Sequence, residues 1–254
     1  MNMRFLGFIK INCNLRVLTS LHIGGSREGI ELGATDNPVI KGPDGKPYIP
    51  GSSLKGKIRS LLELAEGLPI DDKLGRHECE EGKEACTLCI VFGRSSNRKK
   101  DEGPTRAIFR DCFINEDLSD RNARRLGYTE VKYENSIDRI TSKANLRDTE
   151  RVLPGTVFDV EITYRVYDVD VNGAKLENIK DLNSLPSPLK DRFGLILKGM
   201  KLLEEDYLGG CGSRGYGKVK FENLKIDVLP LERFIRGDGS ITIFSGDLSK
   251  VSIQ

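Results

Sequence analysis

The chain has 254 residues, of which 38% are hydrophobic and 31% charged, enough apolar content for a sizeable core and too much for a disordered polymer. With 40 basic against 38 acidic side chains the net charge is only +2, so any affinity for nucleic acid has to come from local clusters rather than overall basicity. No apolar run approaches a membrane span, so the expectation is a cytoplasmic protein with no membrane partner, and its six cysteines then point to free thiols or metal rather than disulfides.

The first predicted element is a strand. Between Ile9 and Val17 the apolar Ile9, Ile11, Cys13, Leu15 and Val17 alternate with Lys10, Asn12, Asn14 and Arg16, the period of a strand with one buried face. Leu21-His22-Ile23-Gly24-Gly25 then leads into a Gly- and Pro-rich stretch reaching Pro50, read as loop with at most a short strand at Pro38–Lys41. Asp36, in Gly33-Ala34-Thr35-Asp36-Asn37-Pro38, has two readings: an Asx turn before proline, or a carboxylate that holds Mg²⁺ or a ribose hydroxyl.

A helix follows to about Glu66, with Leu54, Ile58, Leu61, Leu62 and Ala65 at helical spacing and Ser52 or Ser53 as the expected N-cap. Lys55 and Arg59 share one flank. Beside the positive end of the helix dipole they describe a phosphate seat, or else a solvated basic flank. Residues 67–103 break the pattern and read as an insert. His77, Cys79, Cys86 and Cys89 form H-x-C-x6-C-x2-C, the ligand chemistry of a tetrahedral structural zinc site with no open position. The basic run Arg94–Lys100 follows.

Arg106–Ile114 reads as a strand, Tyr128–Ile137 alternates again, and Asn135–Arg151 is a polar excursion from the sheet. Thr156–Val166 is a cleanly alternating strand; Leu189 to Leu203 marks a second amphipathic helix, ended by Gly209-Gly210. Gly209 to Gly217 contains five glycines around Ser213 and Arg214, which suits either close approach of backbone amides to a phosphate chain or a flexible turn. Lys218–Val228 is the last strand, and the tail beyond Pro230 is weakly patterned. Strand-helix-strand, repeated, predicts an α+β fold: a ferredoxin-like, RNA-recognition-motif-like core in a single domain over 1–254. The core covers about 5–66, 104–115 and 156–228, the zinc-binding insert about 67–103, a thumb about 128–155 and a tail 229–254.

Leu21-His22-Ile23-Gly24-Gly25, Gly33–Lys41, Ile49–Arg59, Ile137-Asp138-Arg139-Ile140-Thr141 and Asp206–Val219 together resemble the repeated backbone subunit of the Csm complex, the type III-A CRISPR effector, within the RAMP superfamily. The likeness runs from about residue 8 to 228. It implies several copies stacked as a filament along a CRISPR guide RNA, other Csm-complex subunits as partners, and cleavage of the complementary single-stranded target RNA at regular intervals with Mg²⁺ or another divalent metal. By that resemblance Asp36 is the catalytic residue. Ser52, Ser53, Lys55, Lys57, Arg59, Arg139, Ser213 and Arg214 contact RNA, and Asn135–Arg151 belongs to the thumb that wedges between nucleotides. Two alternatives remain open on the residues alone: a non-catalytic RNA-binding scaffold, and a guide-processing ribonuclease with His22 as general base.

Overall fold

The computed structural model describes residues 3–25, 35–79, 84–94 and 103–252. Its elements are β1 (Phe5–Val17), α1 (Gly51–Ala65), α2 (Thr87–Phe92), β2 (Ala107–Phe109), α3 (Arg121–Arg125), β3 (Thr129–Ile137), β4 (Ala144–Val152), β5 (Val157–Tyr167), α4 (Asp168–Val171), α5 (Leu189–Glu205), β6 (Val219–Pro230), α6 (Leu231–Arg236) and β7 (Ile241–Gly246). Gly33-Ala34 and Ser95–Lys100, parts of a motif and of the basic run noted above, lie outside the described residues.

The main sheet has five strands in the order β2-β5-β1-β6-β7, every neighbouring pair antiparallel. Without β7 this is the ferredoxin-like order, two interleaved strand-helix-strand halves with their first strands at the centre. Alternation in β1 and β5 comes from one face turning to the core, where Ile9, Ile11, Leu15, Phe158, Ile162 and Tyr164 are all buried. The helices α1 and α5 contribute Leu54, Ile58, Leu62, Phe193, Ile196 and Met200 to the same core. They meet closely at Gly199, where a Cβ would come within 2.5 Å of the Ile58 Cγ2.

Several elements differ from the sequence reading. β1 begins four residues earlier than its alternation, at Phe5. The expected strand over Arg106–Ile114 shortens to a three-residue β2 because regular pairing with β5 is interrupted: Cys112 bridges to Ile49 instead, and Ile114 returns to Phe158 of β5 by a single bridge. The expected short strand at Pro38–Lys41 is reduced to single bridges, Gly24 to Val39 and Lys41 to Pro47. Neither serine caps α1. Pro50 occupies the cap position without a side-chain bond, and Ser52 and Ser53 fall inside the first turn. The tail is structured as well, with β7 extending the sheet and Ile243, Leu248 and Val251 buried in the core.

The polar excursion is a separate two-stranded ribbon, β3 and β4, paired from Thr129–Val152 to Ile137–Ala144. With nine residues per strand it extends about 30 Å. At its tip Asp138 accepts hydrogen bonds from the Ile140 and Thr141 amides at 2.8 Å each, an Asx turn that sets the reversal. Those bonds, Thr141 first, hold the Asp138 carboxyl below its ordinary range. No helix among the described residues is long and apolar enough to cross a membrane.

Candidate metal centre and nucleic-acid interface

The spacing of the insert brings its four ligands together. One ligand atom each from His77, Cys79, Cys86 and Cys89 lie within 4.8 Å of one another. His77 Nε2 is 3.6 Å from Cys79 Sγ and 3.5 Å from Cys86 Sγ. A zinc tetrahedron of N and S ligands has edges of roughly 3.5–3.8 Å, so the donor set fits that ion. The other ring nitrogen, Nδ1, donates to the Pro69 carbonyl at 2.8 Å, which fixes the tautomer that turns Nε2 to the thiols.

Backbone amides complete the arrangement. Cys86 N–H donates to Cys79 Sγ at 3.2 Å, and Cys89 N–H to Cys86 Sγ at 3.5 Å. Hydrogen bonding with the Cys89 thiol first, then with the Cys89 amide, draws the Cys86 thiol down to about 4, while sharing that hydrogen with Cys86 pushes Cys89 up. A divalent cation bound here would take the place of the hydrogen the two thiols share. Cys86 also caps α2, whose Leu88, Val91 and Phe92 sink into the main core. The insert is therefore anchored by apolar contact with the main core.

Asp36 lies on the loop beneath the thumb. Its carboxylate is exposed, and among the described residues no hydrogen bond or ion pair takes it up. Its backbone is another matter: Asp36 N–H donates to Asp148 Oδ1 at 2.7 Å, and Asn37 Nδ2 to the Asp148 carbonyl at 3.0 Å. Glu150, buried on β4, accepts from Val39 N–H at 3.1 Å and pairs with Lys41 at 2.5 Å, and its own amide donates to the Asn37 carbonyl. From Asp36 to Lys41 the loop is stitched to the thumb root. His22 is stitched there too. Its Nδ1 donates to the Glu150 carbonyl at 2.7 Å, and its carbonyl accepts Gly210 N–H at 2.8 Å.

The expected RNA contacts fall in three places. On α1, Ser52 is exposed and Ser53 and Lys55 are half-buried. Gly51 N–H is already taken by Asp111 Oδ1 at 2.8 Å, so a carboxylate of the protein itself occupies part of the helix end read above as a phosphate seat. Lys57 pairs with Asp206 at 2.7 Å and lies 3.6 Å above the Tyr207 ring. Arg59 turns inward, to Glu63 and the insert. In the glycine loop Ser213 is exposed, while Arg214 Nη1 reaches Glu134 of β3 at 3.1 Å. Gly212 is packed on Tyr207, where a Cβ would overlap the ring at 2.1 Å, which joins this loop to Lys57 and α1. Arg139 is exposed at the thumb tip. The α1 end, the glycine loop, His22, the Asp36 loop and the thumb root thus form one connected surface, with Arg139 at the far end of the ribbon.

A family model described as the RAMP superfamily matches residues 14–220. The chain belongs to the RAMP superfamily. The RAMP chain is 38% identical over 245 residues to "CRISPR system Cms endoribonuclease Csm3" of Methanocaldococcus jannaschii, which covers 94% of this chain and 88% of the relative. A relative of the same name from Streptococcus thermophilus is 43% identical over 220 residues, covering 85% and 88% of the two chains. Among solved structures, a chain of the "Csm3-Csm4 subcomplex in the type III-A CRISPR-Cas interference complex" superposes with a TM-score of 0.58 at 27% identity, over 97% of this chain and 93% of that one.

Four residues of this RAMP surface escaped the sequence reading: Asp111, Glu134, Asp148 and Glu150. Each is a single acid on or beside a strand, and each reaches a partner far away in the chain, which no local pattern marks.

Proposed function

We propose that this RAMP chain is the guide-RNA-binding backbone subunit of a type III-A effector and cleaves complementary RNA at regular intervals as a divalent-metal-dependent endoribonuclease. The relatives that match nearly its whole length carry the name endoribonuclease, and the solved neighbour is part of a type III-A complex. The observation that carries the catalytic reading is the exposed Asp36 carboxylate, without a partner among the described residues, on a loop whose backbone is tied to Asp148. Mg²⁺ or another divalent ion held by Asp36 would supply positive charge for the scissile phosphate. The chain's own part is to hold that carboxylate in place and to bend the RNA past it.

Ser52, Ser53, Lys55 and Lys57 on α1, Ser213 and Arg214 in the glycine loop, and Arg139 on the thumb are the groups assigned to the RNA backbone. Zinc in the His77, Cys79, Cys86, Cys89 site is structural, since four protein ligands leave no position for a reacting water. Stacking of several copies along the guide, beside other subunits of the complex in the cytoplasm, agrees with the apolar residues the thumb exposes, among them Tyr133, Ile137, Ile140 and Leu146.

The test assembles wild type and Asp36→Ala with guide RNA and partner subunits and adds end-labelled complementary RNA, with Mg²⁺ or with EDTA. Wild type yields regularly spaced fragments that EDTA abolishes. Asp36→Ala yields none yet binds RNA within about threefold of wild type, because the bond from residue 36 N–H to Asp148 does not need the side chain. RNA bound but intact with wild type in Mg²⁺ would instead mark a scaffold without nuclease activity.

A further inference from the structure

Arg59 stands on the helix assigned to RNA, yet its side chain is only 12% exposed and its guanidinium donates inside the protein. Nε donates to Glu63 Oε1 at 2.7 Å, Nη1 to the Gly93 carbonyl at 2.8 Å, and Nη2 to the His77 carbonyl at 2.5 Å. Glu63 is itself 4% exposed, a buried carboxylate whose i,i+4 partner is this arginine.

The two carbonyls bracket the metal module. His77 is its first ligand and Gly93 ends α2, the short helix that starts at Cys86 and contains Cys89. All four ligands lie between those two contact points. Arg94 adds a second tie from the far end, Nη1 to the Cys79 carbonyl at 3.3 Å. A planar fork reaches a carboxylate and two carbonyls from three separate nitrogens; an ammonium offers its three donors from one nitrogen and cannot span those positions, although it serves a phosphate well.

We infer that Arg59 is a positioning residue: it clips the metal module onto α1 and makes no contact with the RNA backbone. The inference rests on the metal reading above for its first readout and is independent of it for the second.

The full chain is compared as wild type, Arg59→Lys and Arg59→Gln. Zinc content and the rate of zinc transfer to a chelator form the first readout. Limited proteolysis within 77–93 is the second, and the salt dependence of guide-RNA binding the third. Both variants are expected to release zinc about tenfold faster and to be cut within 77–93, with the slope of log affinity against log salt unchanged. Wild-type zinc retention and protease protection in both variants overturn the proposal. So does a slope reduced by about 0.7 in Arg59→Gln, the mark of one lost phosphate contact on a single strand. Wild type purified without zinc would sink the metal reading alone and leave proteolysis to decide the clip. Arg59→Lys keeps a cation beside Glu63, so the comparison stands even if Arg59→Gln does not fold.

Discussion

Gly51 has no room for a side chain: a Cβ there would lie 2.3 Å from the Phe109 carbonyl oxygen and 2.9 Å from the backbone of Arg110. Backbone cannot step aside as a flexible side chain does, so Gly51→Ala must lift the start of α1 off β2 and break the bond from Gly51 N–H to Asp111. The expected loss is about 3 kcal/mol in urea denaturation, at the upper end for an overpacked site. Gly56, five residues on, is the opposite case. It is exposed within α1, and nothing lies within 4 Å of its missing Cβ. Glycine inside a helix costs about 1 kcal/mol relative to alanine, so Gly56→Ala should stabilise the chain by about that amount. If bare backbone there lets the RNA approach, the same variant binds guide RNA more weakly while being more stable; unchanged affinity would remove Gly56 from the interface. Pro50-Gly51-Ser52-Ser53 read as a helix start on sequence, and it is one. That Gly51 is there for β2, and Asp111 for Gly51, depends on a residue 60 positions away.

The thumb ribbon and the glycine loop are joined by one carboxylate. Glu134 accepts from Arg214 at 3.1 Å and from the Tyr216 hydroxyl at 3.3 Å, and pairs with Lys132 at 2.9 Å. Lys132 Nζ and Arg151 Cζ lie 5.3 and 5.2 Å from the centroid of the Tyr216 ring. The Lys132 hydrogen bond first, with Lys132 and Arg214 charge behind it, holds the Glu134 carboxyl below its ordinary range. A depressed carboxyl contributes its link above the unfolded value, about 4.3, and loses it as pH falls through the lower folded value. The loop-to-thumb link is therefore constant across neutral pH and opens only in acid, which the Arg214 side-chain NMR signal followed down in pH would register. Glu134→Gln keeps the shape and removes the competing anion from Arg214, so RNA binding should tighten a few-fold, with a salt slope steeper by about 0.7. Weaker binding would mean that Glu134 orients Arg214 instead of competing with RNA for it. At this scale the sequence was readable where one periodicity holds throughout, as in β1, β5, α1 and α5. β6 shows where a single break can be read: Val219 and Phe221 are buried on odd positions, then Leu224, Ile226 and Val228 on even ones. The change of phase is the bulge at Asn223, with φ of 55°, opposite the register shift between Asn12 and Asn14.

For the molecule as a whole, the tail closes the sheet. β7 pairs along β6 from Leu224 to Val228, and Ile243, Leu248 and Val251 complete the core beside α5 and β6. A chain truncated after Arg236 would expose the edge of β6 together with those apolar sockets. It should melt several degrees lower and aggregate on heating, as read by light scattering; a truncated chain that stays monomeric with an unchanged Tm would show β7 to be dispensable. Strand periodicity, helix spacing and the four-ligand interval of the insert were determined by the sequence itself, because each repeats or closes within about a dozen residues. From them followed the split strand-helix-strand core, the polar excursion from the sheet and the close grouping of His77, Cys79, Cys86 and Cys89. The tertiary structure alone decided which groups face solvent and which face inward. The Asp36 loop is held by Asp148 across 112 residues and by Glu150 across 111, and Arg59 is turned away from its own helix surface by carbonyls 18 and 34 residues on. A local pattern records the face a side chain leaves the backbone on. It does not record what the rest of the chain has brought to meet it.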